Sequence, residues 1–158
     1  MDTDLAEGDD FERDTATVLG YMLFEYSRLD MELGLFLVWS DEGRRLDERS
    51  KKLNETSFSK RLELLEMLTK LKYSDTPAAD EYAKWLLDAH ALRSLRNQLF
   101  HGRWGFDSRQ GMAANVVGLP TSPAQTETRY SIAQLRESLQ LMRALRSRLS
   151  ELRQTWPV

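Results

Sequence analysis

Apolar residues recur every three or four positions along the first part of the chain, at Val18, Met22, Tyr26, Leu29, Leu33 and Phe36. That spacing returns to one face of an α-helix on successive turns, so Phe11 to Trp39 is read as a long first helix. Glu12, Arg13, Glu25, Arg28 and Glu32 form its solvated side. Tyr21, Phe24, Leu35 and Leu37 lie off the main stripe, and a second copy of the chain is a natural cover for them. From Ser40 to Glu55 charges of both signs alternate with almost no apolar content, as expected of an exposed connection. Basic Arg44, Arg45, Arg49, Lys51 and Lys52 fall here, offset by acidic neighbours.

A second helix follows, with Phe58, Leu62, Leu65, Leu68 and Leu71 on its stripe and Leu64 and Met67 beside them. Thr76 before Pro77 suits a helix start, because a threonine oxygen can accept an orphan amide and proline presets φ at the first helical position. The third helix then runs from Pro77 to His101, burying Tyr82, Trp85 or Leu86, Ala89, Leu92, Leu95 and Leu99. Gly102 stands where a left-handed stop is wanted. Between Arg103 and Tyr130 the helical period is lost. Strands are expected at 103–106 and 112–117 about a turn at 107–111, with 120–127 mobile. Ser131 and Gln134 form a capping box opening a last helix, whose stripe is Ile132, Leu135, Leu139, Met142, Leu145, Leu149 and Leu152. The expected fold is all-α: an up-and-down bundle of four main helices with a small β-hairpin or loop insertion before the last.

Length, at 158 residues, fits one domain, taken as 11–156 after an acidic, disordered start at 1–10. The chain has no cysteine, which excludes disulfides, thiol nucleophiles and thiolate zinc sites. An acidic beginning is the reverse of a signal peptide, and the longest apolar stretch, Leu33 to Trp39, is far short of a bilayer span, so a cytoplasmic protein with no membrane role is expected. With a formal charge of −3, any nucleic-acid contact must come from a local basic cluster.

Candidate chemistry concentrates in the segment Leu92-Arg-Ser-Leu-Arg-Asn-Gln-Leu-Phe-His-Gly-Arg-Trp104. Arg96 is followed directly by polar Asn97, and His101, four residues beyond that, is followed directly by Gly102. This pattern resembles the HEPN superfamily, small helical proteins that include ribonuclease toxins, defence effectors and non-catalytic members. The resemblance extends over roughly Phe11 to Leu152 in coarse helical layout. It implies a metal-independent endoribonuclease of toxin or defence type, working in a groove that combines the motifs of two subunits. A homodimer, RNA and a nucleotidyltransferase-type antitoxin are the partners it suggests.

The side chains suit such chemistry. An imidazole moves protons near neutral pH, and a guanidinium clamps a phosphate whose oxygens gain charge under attack. On a regular helix, Arg96 and His101 are about 140° apart, so they share a face only if the last turn unwinds, as Gly102 would permit. Asn97, one turn before His101, is the candidate to orient the imidazole. Arg93, Arg103 and Arg109 would extend a positive groove, and Trp104 or Phe106 would stack on a base. Each residue also has a structural alternative: an ion pair from Arg96 to Glu25 or Asp30, a dipole-favoured His101 at a helix end, a packed Trp104. His90 is read as structural, and no metal or cofactor is expected. The competing function is a non-catalytic bundle of the same type that binds a protein or nucleotide, or serves dimerisation.

Overall fold

The computed structural model describes the backbone of residues 2–158 and the side chains of residues 8–158. Among the described residues, five helices and three strands follow one another: α1 (Asp2–Val38), α2 (Leu46–Asn54), α3 (Phe58–Tyr73), α4 (Pro77–His101), β1 (Arg103–Asp107), β2 (Met112–Val117), β3 (Thr126–Ser131) and α5 (Ile132–Thr155). The chain is therefore mostly helical with a three-stranded antiparallel sheet, rather than four helices and a hairpin. Of the expected disordered start, residues 1–7 lie outside the fully described residues, while 8–10 are helical. None of the described helices is long and apolar enough to cross a membrane.

Two compact units are built from these elements, one from Met1–Glu25 and Ser94–Met142, the other from Tyr26–Arg93 and Arg143–Val158. In the second, the predicted stripes of α1, α4 and α5 supply a buried core that includes Leu29, Leu33, Phe36, Tyr82, Trp85 and Leu149. The polar ends of its aromatics are satisfied as burial requires: Trp85 Nε1 donates to Leu145 O at 2.9 Å and the Tyr82 hydroxyl to Trp156 O at 2.7 Å. The expected connection at 40–55 contains α2, whose Arg49 donates to the carbonyls of Leu37 and Ser40 at the end of α1. Leu37 O lies in the last turn of α1, where a carbonyl has no amide of its own helix to accept from, and it also accepts from Ser40 Oγ at 2.7 Å. On α3 the stripe is narrower than expected: Phe58, Leu62 and Leu65 are buried, but Met67 and Leu71 are exposed. Thr76 does not cap α4; its hydroxyl donates backwards to Tyr73 O at 2.7 Å.

In the first unit, Val18, Met22, Leu99, Leu135 and Leu139 are buried, as is Ala113 of the sheet. Strand order is β1-β2-β3, and Trp104, Asn115 and Thr128 form one cross-strand row while Phe106, Ala113 and Tyr130 form the next. Strand alternation places these six on one face. Ala113 and Asn115 are buried, and Trp104 and Tyr130 pack with ring centroids 6.0 Å apart. Burial raises the Tyr130 hydroxyl above its ordinary pKa. The opposite face carries Arg103, Glu127 and Arg129. The capping box forms as predicted, with Ser131 N–H donating to Gln134 Oε1 at 2.8 Å and Gln134 N–H to Ser131 Oγ at 3.2 Å. Along α1, Tyr21, Phe24, Met31 and Leu35 remain exposed, whereas Leu37, expected among them, is buried.

Candidate functional site

Arg96, Asn97 and His101 sit on the last turns of α4, which stays helical through His101. Because the end does not unwind, Arg96 and His101 keep the roughly 140° and 7.5 Å separation of a regular helix. Gly102 supplies no left-handed stop, since positive-φ glycines occur only at Gly43, Gly111 and Gly118 among the described residues. Its missing side chain serves a close approach instead. A Cβ at Gly102 would collide with the amide Oδ1 and Nδ2 of Asn115, and Nδ2 in turn donates to Leu99 O at 3.4 Å. Asn115 is 1% exposed and has little room to retreat. Gly102→Ala is therefore expected to cost about 1–3 kcal/mol as an overpacked contact. Urea unfolding of Gly102→Ala, Asn115→Ala and the double variant checks this, because the double variant should lose less than the sum of the two.

The sheet grips the same helix end. Gln98 Nε2 donates to Thr128 Oγ1 at 2.7 Å, and Trp104 Nε1 donates to Leu99 O at 3.1 Å. With Asn115, these bonds seat the inner face of the sheet on α4 around Leu99. Gln98, Asn115 and Thr128 did not stand out in the sequence, although a polar residue inside the β-prone run of β2 was the available signal.

Arg96 is half-buried, its guanidinium carbon 5.9 Å from the centroid of the Phe100 ring. Its Nη1 donates to Asn97 Oδ1 at 3.2 Å. Asn97 thus orients the arginine, and no hydrogen bond joins it to His101. The imidazole of His101 projects from the final helical residue and is exposed. Asp30, considered as a partner for Arg96, is bound to Arg61 at 2.8 Å, while Glu25 is buried.

The proposed groove residues do not converge. Arg103 is held by Gly118 O and Gln125 Oε1 on the segment joining β2 to β3. Trp104 is fastened by its indole N–H and half-buried, its ring tilted against that of Tyr130. Arg109 is exposed in the β1–β2 turn, beyond the far end of β1 from Arg103, a strand length of about 13 Å. Phe106 is partly exposed and edge-on to Phe11, with centroids 6.3 Å apart. Arg93 lies one turn before Asn97 on α4 and belongs to the other unit. What remains together is Arg96, Asn97, Phe100 and His101: a fixed cation and an open proton carrier at one helix end. No family model matches the chain, and no curated protein or solved structure matches it either.

Proposed function

We propose that the chain is a HEPN-like, metal-independent endoribonuclease of toxin or defence type, with His101 as general acid or base, Arg96 as phosphate clamp and Asn97 as its positioning residue. The observation that carries this is the exposed imidazole at the end of α4 beside a guanidinium already held by Asn97 and Phe100. In the reaction, an imidazole takes the proton of a ribose 2′-hydroxyl, the 2′-oxygen forms a bond to the adjacent phosphorus, and the bond from phosphorus to the 5′-oxygen breaks. A protonated imidazole returns a proton to that leaving oxygen. The products are a 2′,3′-cyclic phosphate and a 5′-hydroxyl, and the guanidinium offsets charge on the phosphate oxygens as they are attacked.

One chain offers one such imidazole, and its arginine points about 140° away. Two copies supply the second imidazole and let the arginine of each serve the phosphate addressed by the histidine of the other. The exposed α1 residues Tyr21, Phe24, Met31 and Leu35, spaced by three or four residues or by a whole heptad, favour such a homodimer. RNA is the substrate, and a nucleotidyltransferase-type antitoxin is a further partner.

The test is incubation of purified protein with single-stranded RNA in the presence of a chelator, alongside Arg96→Ala, Arg96→Lys and His101→Ala variants purified identically. Cleavage to cyclic-phosphate ends by the parent alone is expected, with Arg96→Lys restoring only part of the activity because it loses the planar fork. Equal cleavage by every protein, or none by any, overturns the proposal. The second outcome favours a non-catalytic helical binding module, the role in which the tethering of Arg103 and Trp104 would be purely architectural.

A further inference from the structure

The turn after α1 is the most strained stretch of backbone in the described chain. Asp41, Glu42 and Gly43 follow one another at φ 70°, 59° and 73°, and the first two have no glycine to ease that conformation. Left-handed backbone at ordinary residues persists where surrounding contacts over-determine it, and it gathers at ligand sites. Here Asp41 Oδ2 is clamped by Arg45 at 3.3 Å and Arg49 at 3.2 Å. Gly43 lies against Trp39 so closely that a Cβ would come within 2.6 Å of the indole ring. One side of the ring is backed by the turn, and the side chain is still 48% exposed.

A cleft of about 520 Å³ opens there, lined by Trp39, Arg44, Arg49, Leu68, Leu71 and Lys72 among others. Its volume falls in the range of small-ligand sites. Leu71 is 77% exposed, an apolar wall with no protein cover. The charges divide cleanly. Arg49 is consumed by Asp41 and the carbonyls of Leu37 and Ser40, whereas Arg44 meets only Glu42, at 3.4 Å, in a largely solvated pair of little worth. Lys72 uses one donor on Pro157 O, at 2.7 Å, and an ammonium has three. An indole face beside an apolar wall, with two cations holding spare donors at the rim, matches an anion that carries a flat aromatic body.

We propose that this cleft binds a nucleoside phosphate, with the base against the open face of Trp39 and the phosphate between Arg44 and Lys72. The same chemistry is offered by a free nucleotide and by one nucleotide of an RNA strand. The site lies wholly within the second unit and rests on no role of Arg96 or His101.

Calorimetric titration of the full chain with 5′-AMP, adenosine and a short oligoadenylate provides the test. AMP binding that weakens with added salt, and at least about tenfold in Arg44→Glu and Trp39→Leu, is expected, as base stacking and a phosphate contact are each worth a factor of that order. Trp39→Phe should recover most of the stacking. Tighter binding of the oligoadenylate than of AMP assigns the site to RNA, and the reverse assigns it to a free nucleotide. Circular dichroism confirms folding, and if Trp39→Leu does not fold, the exposed Arg44→Glu substitution carries the test alone. Adenosine binding as tightly as AMP, no binding of AMP or the oligoadenylate by the parent chain at millimolar concentration, or folded variants that bind like the parent overturns the proposal. These outcomes leave RNA cleavage untouched, so His101→Ala protein gives the same titration if the site is real.

Discussion

On the proposed ribonuclease reading, His101→Ala is expected to lower RNA cleavage by about 10²–10⁴-fold, the usual contribution of a positioned proton carrier, while leaving the fold in place. The separation of the two effects comes from the position of the side chain. His101 is exposed on the last residue of α4 and no hydrogen bond holds its ring, so truncation opens no cavity and strands no buried group. Surface changes of this kind usually alter stability by no more than about 0.5 kcal/mol. The measurement is the initial rate of appearance of cyclic-phosphate ends at equal protein concentration, with thermal melting of the same samples. Mixed samples sharpen the test. If two chains share a phosphate, combining His101→Ala with Arg96→Ala gives hybrid dimers that pair one imidazole with one guanidinium but lack the second imidazole, so only a small part of the activity should return. Full activity in the His101→Ala protein would refute the role assigned to the imidazole, and loss of melting cooperativity would show that the ring holds the structure instead.

Trp85→Ala is expected to cost about 3–5 kcal/mol, a large share of the roughly 5–15 kcal/mol that stabilises a typical domain. Trp85 is 0% exposed in the core of the second unit and donates to Leu145 O at 2.9 Å. Truncation removes a large buried apolar surface and leaves a hole that packed helices cannot fully close. Trp85→Phe should be much milder, since a ring still fills most of the space and Leu145 O loses only one of its potential donors. Urea unfolding followed by circular dichroism distinguishes them. A Trp85→Ala midpoint indistinguishable from the parent would mean that the surrounding helices collapse onto the site, contrary to the burial described.

The helices were legible because their interiors obey one rule. Val18, Met22, Tyr26, Leu29, Leu33 and Phe36 are all buried, and α4 has the bounds marked out by Pro77 and Gly102. Strand β3 was not legible: Thr-Glu-Thr-Arg-Tyr-Ser has a single apolar residue, and its inward positions are Thr128 and Tyr130, so pairing with β2 rather than hydrophobic alternation defines it. Helix α2 escaped for a related reason, since Leu53 is its one buried residue. At the candidate site, the contacts of Asn97 and Gly102 differ from those the sequence suggested. Asn97 meets Arg96 because adjacent side chains can fold together at the surface, and Gly102 answers to Asn115, a contact across 13 positions that no local pattern reveals. The packed alternative for Trp104 agrees with its indole N–H bond to Leu99 O, while the hold on Arg103 comes from Gly118 and Gln125, 15 and 22 positions away and beyond the reach of any local pattern.

The sheet has two open borders, β1 and β3, and unpaired strand borders invite fibrillar stacking between molecules. Here each border is only five or six residues long, and charge guards both: Arg103 lies along β1, while Glu127 and Arg129 pair at 2.7 Å on β3. Strand-by-strand growth from molecule to molecule is thereby discouraged, which leaves helical surfaces as the favoured ground for specific assembly.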